Sequence, residues 1–375
     1  MRTRFGRPLV VVGSIALFAV IPLFAVGYVV VDLAAGNAGW PLREAFLPAA
    51  DAVLHGESPY PEEGDASLIR GTAYVYPPVV AQVLVPLTFL PETVVVVAFA
   101  LALVAAVFAT LYLLGVRDWR CYGIALLWPG VLSAVHVENI TILMGLGAAL
   151  VWRFRDRPAG GLALGASIAV KPLLWPLGAW LLATRSYRVL AWSAVSAVSL
   201  LAVSWAAIRF AGLMEYEELL RRLSDRMDEY GYSLYAIAHD LGAGDVLAKG
   251  LWLAVALGLL AASYAVARRG DERRAFVLGV AAIIACSPIV WLHYFALLVV
   301  VVAVAQPKLG VAWFVPLLMF RAEEIANGSP FQTATTVAAA ALTVAVALYV
   351  APAAPGREQV RSRKRAATTA LAESP

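Results

Sequence analysis

Charged residues are scarce in this sequence, because Asp, Glu, Lys and Arg together make up only 14% of its 375 residues. An average soluble chain carries about 25% of these residues. Hydrophobic residues make up 62% of the chain. Apolar runs of about 20 residues, each long enough to cross a hydrocarbon core of about 30 Å, recur from end to end. The scarcity of charge therefore excludes an ordinary soluble fold and predicts an integral membrane protein with many spans.

The apolar runs also lack the period-two alternation of β-strands. In lipid the backbone must satisfy its own hydrogen bonds, so a spanning chain forms either a bundle of helices or a closed barrel. Barrel strands alternate apolar and polar residues, whereas these runs are continuous stretches of Leu, Val and Ala. The sequence therefore predicts an all-α polytopic membrane protein.

Motifs for metals, disulfides and nucleotides are missing as well. The two cysteines, Cys121 and Cys286, both lie in apolar segments, which indicates neither a disulfide framework nor a zinc site. The histidines occur in no HxxxH or HExxH motif, and no glycine-rich phosphate loop is present. We therefore expect no metal, no other cofactor and no cytosolic nucleotide substrate.

The net charge of +4 comes largely from short basic loops and a basic C-terminal tail. Under the positive-inside rule such loops lie in the cytoplasm, so this charge does not indicate nucleic-acid binding. Placing all of them inside makes residues 32–76 and 211–245 the first and second external loops of a cell-membrane protein. Its N- and C-termini are then both cytoplasmic. The basic clusters span residues 2–7, 117–120, 153–157, 185–188, 268–274 and 357–365, together with Lys308.

This topology divides residues 1–355, the transmembrane domain, into about 12 helices and leaves residues 356–375 as a disordered cytoplasmic tail. Several predicted spans are short or contain Pro or Gly, which is tolerated where a helix lines a protein cavity. Residues 79–90 form either a further span or a helix that only dips into the membrane. The predicted spans lie near residues 9–31, 94–116, 121–135, 139–152, 159–170, 172–184, 189–210, 246–266, 275–287, 290–305, 309–320 and 331–351.

The first external loop contains candidates for acid–base chemistry. If its second part is helical, Glu44, Asp51 and His55 lie at positions i, i+7 and i+11, on one face of the helix. Pro48 fits best in a first helical turn, so the helix could instead begin near Leu47 and leave Glu44 on its approach. The same residues could also form the solvated face of a helix at the membrane surface.

Several polar groups lie inside or beside apolar segments, where ionisable residues are costly and are therefore functional candidates. A charged lysine costs at least about 2.5–3.5 kcal/mol at the centre of a span, so Lys171 requires a nearby anion or a route to water. A cation beside a helix break suits the phosphate of a lipid-linked substrate. His293 and the segment His136-Val-Glu138-Asn139 are further candidates. The alternatives are snorkelling for Lys171 and a structural hydrogen bond for His293.

Five short motifs follow one another along most of the chain. They are Gly56-Glu-Ser-Pro59-Tyr60, Tyr76-Pro77-Pro78 before a Leu/Val-rich segment, Glu138-Asn139, Ala-Val-Lys171-Pro172, and Ser287-Pro288 through Trp291-Leu-His293-Tyr294. The order and spacing of these motifs resemble glycosyltransferase family 87. The resemblance implies a GT-C fold, which is a bundle of membrane helices with an active site that faces away from the cytoplasm.

The resemblance also implies a chemistry. Similar family members are actinobacterial mannosyltransferases that use polyprenyl-phosphate-mannose, invert the anomeric centre and extend lipid-linked mannosides or cell-envelope glycans. They need one carboxylate base in the first external loop. The usual Asp of the family falls at Leu42 here, and Glu44 is the nearest carboxylate. Glu44, Asp51 and Asp32 therefore stay open as the base, although Asp32, at the outer end of the first span, could equally be an interface anchor.

The predicted reaction is a single displacement at the external face. A carboxylate, preferably Glu44 or Asp51, removes a proton from the acceptor hydroxyl. Lys171 and His293 bind the donor phosphate and stabilise its growing charge. The other candidate substrate-binding residues are Tyr60, Tyr76, His136, Glu138 and Asn139.

The expected partners are a polyprenyl-phosphate-sugar donor, a lipid-linked or glycan acceptor and membrane lipids. Two other functions are compatible with the same residues. A transporter or lipid flippase would use the buried ionisable groups for passage of its substrate or of protons. A non-catalytic scaffold is the third possibility, since the usual Asp is missing.

Overall fold

The computed structural model describes residues 6–62, 64–70, 72–227, 231–319 and 330–352. These residues form helices and connecting segments, and none of them lies in a β-strand. The predicted all-α class is therefore confirmed. The α-helices are α1 (Gly6–Ile15), α2 (Ile21–Ala34), α3 (Leu47–Leu54), α4 (Ala66–Arg70), α5 (Pro78–Leu84), α6 (Glu92–Leu113), α7 (Trp119–Leu126), α8 (Pro129–His136), α9 (Thr141–Arg153), α10 (Pro158–Val170), α11 (Pro176–Ala183), α12 (Tyr187–Ala207), α13 (Tyr216–Met227), α14 (Leu234–Asp240), α15 (Asp245–Arg268), α16 (Glu272–Cys286), α17 (Leu298–Ala305) and α18 (Pro330–Val350). Ala16–Val20 and Pro41–Phe46 are π-helical, and Val85–Phe89, Leu292–Leu297, Val311–Trp313 and Val315–Leu318 are 3₁₀-helical.

Five helical stretches in the described residues are long and apolar enough to cross a membrane. They are Val10–Ala34, Glu92–Leu113, Tyr187–Ala207, Asp245–Arg268 and Pro330–Val350. Helices α8 and α9 together form a sixth candidate span, bent by 120° at the break between them. These helices fit a membrane protein, whereas the number of about 12 spans stays a prediction.

Several other predicted spans coincide with shorter helices. Helix α10 has 13 residues, which at a rise of about 1.5 Å per residue makes it about 20 Å long, less than a hydrocarbon core of about 30 Å. The stretch predicted at residues 79–90 is also a short helix, Pro78–Phe89. Such helices need a neighbouring segment or a cavity in the protein to complete the crossing.

Helices α10 and α12 pack against each other at close range. Gly161 and Gly165 lie four residues apart on α10, and a methyl group at either would collide with the backbone carbonyl of Val189 or Ser193 on α12. Small residues at this spacing allow two membrane helices to approach closely. Because α10 ends immediately before Lys171, this packing determines where Lys171 lies.

Helix α17 lies inside the bundle, where it packs against α6, α9, α16 and α18. All of its residues are buried, as expected for a helix that is hydrophobic on every face. The 3₁₀ segment Leu292–Leu297 leads directly into it and is also entirely buried. This segment carries His293 into the interior of the protein.

About half of the segment predicted as the first external loop, residues 32–76, is helical. The π-helix Pro41–Phe46 leads directly into α3, and Pro48 lies in the first turn of α3, as one of the two sequence interpretations expected. Leu42 and Phe46 are fully buried, so this segment packs onto the bundle. The segment predicted as the second external loop contains α13 and α14. The predicted tail at residues 356–375 lies outside the described residues.

Candidate active site

Lys171 lies between two aromatic rings at the end of α10. Pro172 disfavours a helical conformation for the residue before it, and Lys171 accordingly has extended backbone angles. Its Nζ lies 4.3 Å from the centre of the Tyr294 ring and 5.6 Å from that of Tyr76, within the range of cation–π attraction. Among the described residues no carboxylate forms an ion pair with Lys171. The neighbours of Lys171 are therefore the rings of Tyr76 and Tyr294 and the Tyr76 hydroxyl.

His293 also lies beside the Tyr294 ring. The centres of these two rings are 5.2 Å apart, and His293 is close enough to Lys171 to interact with it electrostatically. His293 is 8% exposed, and its Nε2 has no hydrogen-bond partner in the described part of the chain. Buried polar atoms are nearly always hydrogen-bonded. The unpartnered Nε2 beside Lys171 is therefore a candidate contact for a substrate.

The break between α8 and α9 brings Glu138 and Asn139 to the same region. Asn139 Oδ1 accepts hydrogen bonds from the backbone N–H (3.0 Å) and the hydroxyl (2.7 Å) of Thr141, which fixes the start of α9. The Tyr76 hydroxyl is in polar contact with the side chains of Asn139 and Lys171. Tyr76 therefore connects the helix break to the lysine.

Glu138 has an unusual conformation and an unusual environment. Its backbone is left-handed, with φ of 53°, and its side chain is fully buried. Neither carboxylate oxygen has a hydrogen-bond partner among the described residues, although Arg43 acts on the group electrostatically. Gly39, itself at φ +80°, contacts Oε2 so closely that a Cβ at this position would collide with it. Strained residues of this kind cluster at functional sites.

His136, the last residue of α8, contacts the end of α2. Its Nε2 lies 2.7 Å from Asp32 Oδ2, and the two side chains are 25% and 21% exposed. Asn37 donates a hydrogen bond of 3.1 Å to the other carboxylate oxygen, Asp32 Oδ1. The Gly39 N–H donates to the His136 carbonyl at 3.1 Å. The segment after α2 is thus attached to the same helix break that holds Glu138.

Glu44 and Asp51 lie elsewhere in the described structure. Glu44 is exposed on the π-helix. Asp51 is exposed on α3, where its carboxylate lies 3.6 Å from the ring of His55. In the described part of the chain, neither carboxylate contacts Lys171 or His293. The π-helix has an extra residue in its turn, which changes the angle between Glu44 and the residues of α3. Their role as a base stays a prediction.

Tyr60 belongs to an aromatic cluster next to Tyr76. Its hydroxyl donates to the Tyr76 carbonyl at 3.1 Å. Its ring stacks on Trp205 at 5.4 Å and 13°, and lies 5.4 Å from Tyr216. Sequence reasoning singled out neither Trp205 nor Tyr216, because no spacing along the chain connects α12 and α13 to the first loop. Tyr294 was visible in a motif but received no separate role.

The fold and the site define a helical membrane protein in which a lysine, a histidine and tyrosines lie together. The model of glycosyltransferase family 87 matches residues 74–293, more than half of the chain. The chain therefore belongs to glycosyltransferase family 87 and is a membrane glycosyltransferase. This favours the transferase over the transporter and scaffold alternatives. Comparison with curated proteins gave no match, and comparison with solved structures gave none either.

The matched range covers only part of the site. It includes Tyr76, Glu138, Asn139 and Lys171 and ends at His293, but it begins after the first segment. All three carboxylates considered as the base, Asp32, Glu44 and Asp51, therefore lie outside it.

Proposed function

We propose that the protein transfers mannose from a polyprenyl-phosphate donor to a lipid-linked or cell-envelope glycan at the external face of the cell membrane. The observation that carries this proposal is the position of Lys171 over Tyr294 and beside His293, without a carboxylate partner in the described residues. An isolated cation in a poorly hydrated site is stabilised by binding an anion. In a membrane glycosyltransferase, a suitable anion is the phosphate of a lipid-linked donor.

The reaction is a single displacement with inversion. The acceptor oxygen loses its proton to a base and attacks C1 of the sugar. The bond from C1 to the phosphate oxygen breaks, and its electron pair remains on the polyprenyl phosphate. Negative charge therefore grows on the phosphate in the transition state, and the Lys171 ammonium stabilises it more strongly than it stabilises the intact donor. The His293 Nε2 adds a hydrogen bond to the same phosphate.

The aromatic cluster provides a surface for the sugar or the first units of the prenyl chain. Tyr60 presents a partly buried ring that is held in place by Trp205 and by its hydrogen bond to the Tyr76 carbonyl. Rings fixed in this way offer apolar contact area without much loss of side-chain freedom on binding. A flexible polyprenyl substrate bound here needs no metal for its recognition.

The helix break that holds His136, Glu138 and Asn139 provides the acceptor side of the site. Asn139 is fixed by Thr141 and contacts Tyr76, so this break adjoins the proposed phosphate position. The buried, unpartnered carboxylate of Glu138 is suited to accept hydrogen bonds from sugar hydroxyls. The acceptor hydroxyl loses its proton to a base that lies within reach of this break.

The experiment uses the purified full-length chain in vesicles that contain a short lipid-linked mannoside as acceptor. Three radiolabelled donors are compared at equal concentration and equal specific radioactivity: polyprenyl-phosphate-mannose, polyprenyl-phosphate-arabinose and GDP-mannose. The expected result is transfer from polyprenyl-phosphate-mannose and none from GDP-mannose, with protein-free vesicles as the control. Transfer from the arabinose donor alone would correct the sugar. Transfer from GDP-mannose alone, or from no donor, would overturn the proposal.

A further inference from the structure

The proton acceptor of the reaction has to reach the acceptor hydroxyl while the donor phosphate lies at Lys171. Glu44 and Asp51 are exposed and contact neither Lys171 nor His293 in the described structure. Glu138 is fully buried behind Gly39. The Asp32–His136 pair differs from all three, because it is partly exposed and lies on the helix break itself.

A series of contacts joins this pair to the phosphate position. His136 is three residues before Asn139 in the same break, and Asn139 contacts the Tyr76 hydroxyl. Tyr76 in turn contacts Lys171. The Asp32–His136 pair and the lysine therefore lie at opposite ends of one series of polar residues.

The hydrogen bond between the two residues determines which ring nitrogen can act. The ionised Asp32 carboxylate only accepts hydrogen bonds, so the His136 Nε2 at 2.7 Å must carry the proton. The Nδ1 of a neutral imidazole is then an acceptor. No residue in the described chain hydrogen-bonds to this Nδ1, and the ring is 25% exposed. This is the arrangement in which a carboxylate orients a histidine for proton abstraction.

We propose that His136 Nδ1 is the general base of the sugar transfer and that Asp32 is its positioning residue. This inference rests on the proposed function. As the acceptor oxygen bonds to C1, its proton moves to Nδ1, and polyprenyl phosphate leaves with the electron pair of the broken C1–O bond. The resulting imidazolium is stabilised by the Asp32 carboxylate and then releases its proton to water. In this scheme the histidine replaces the carboxylate that the family resemblance placed at Leu42.

The test measures transfer from polyprenyl-phosphate-mannose by wild type, His136→Ala, Asp32→Asn and the control His239→Ala, which changes an exposed histidine of α14. General-base removal typically costs about 100- to 10,000-fold in rate, so we expect that loss in kcat for His136→Ala. The KM for the donor should stay unchanged, because the phosphate site is intact. Asp32→Asn should lower kcat in the same way, since an amide no longer stabilises the imidazolium. His239→Ala should match wild type.

Chemical rescue separates catalysis from folding. Imidazole added to His136→Ala should restore part of the lost kcat, and should have no effect on Asp32→Asn. Equal thermal unfolding of wild type and variants in detergent excludes misfolding as the cause. If His136→Ala keeps wild-type kcat, the inference is wrong, and Glu44→Gln, Asp51→Asn and Glu138→Gln identify the actual base. If wild type itself transfers no sugar from this donor, the proposed function fails instead.

Discussion

Replacing Lys171 by methionine is the most direct perturbation of the proposed phosphate site. Methionine keeps a long unbranched side chain between Tyr76 and Tyr294 but removes the ammonium. A hydrogen bond to a charged group contributes about 1.5–3 kcal/mol, and each 1.36 kcal/mol is tenfold in rate. We therefore expect kcat/KM for the donor to fall by about 10- to 150-fold.

The stability of this variant should change little, for a reason found in the structure. A lysine that pairs with a buried acid leaves an uncompensated charge when it is removed, which is strongly destabilising. Among the described residues Lys171 has no such acid partner. Its removal therefore costs a cation–π contact of about 1–2 kcal/mol and the polar contact with the Tyr76 hydroxyl, and these losses are offset because no ammonium has to be desolvated. A large loss of activity with an unchanged unfolding temperature is the expected combination.

The assay measures initial transfer rates in vesicles over a range of donor concentrations, with thermal unfolding in detergent measured on the same preparations. Lys249→Met is the matched control, because Lys249 is exposed and pairs with Asp245 at 3.2 Å on the surface. Unchanged kcat/KM in Lys171→Met would refute the phosphate role. An equal fall in Lys171→Met and Lys249→Met would assign the loss to general effects of charge removal.

Three further substitutions test the structure around the site. His293→Phe removes a nitrogen that has no partner in the described chain, so transfer should fall about tenfold, with no loss in unfolding temperature; a destabilised variant would instead indicate a structural histidine. Gly39→Ala adds a methyl against Glu138 at a left-handed position, and should lower the free energy of unfolding by more than about 1 kcal/mol, measured by denaturant titration; a neutral result would contradict the close contact. Gly165→Leu should separate α10 from α12 and lower the free energy of unfolding by about 1–3 kcal/mol. The matched control is Gly258→Leu, because Gly258 has open space around it. The unfolding temperature of Gly165→Leu should be lower than that of this control.

The class of the protein could be predicted from composition because lipid imposes a simple requirement. Continuous apolar runs and few charges are sufficient to indicate membrane helices, and the motif order was sufficient to indicate the family. The sequence also predicts that Lys171 and His293 lie close together, because both are polar residues in apolar segments and both are predicted to bind the donor phosphate. In the structure both residues lie against the Tyr294 ring.

Other parts of the site could not be predicted, because they depend on how helices meet. Asp32 and His136 are 104 residues apart in the chain, and nothing in the periodicity of either helix indicates their contact. The π-helical turn at Pro41–Phe46 changes the direction of Glu44, although the sequence there reads as an ordinary helix approach. Trp205 was hidden in a long apolar helix, where an aromatic residue normally indicates only packing.

The absence of an acidic partner for Lys171 in the described chain has a consequence for turnover. Under the proposed function, a lysine that is not neutralised by its own protein would bind the phosphate of the spent carrier lipid as well as that of the sugar-loaded one. The two lipids would then compete for one position, and accumulated polyprenyl phosphate would slow the enzyme. The rate of transfer would depend on how quickly the empty carrier is recycled.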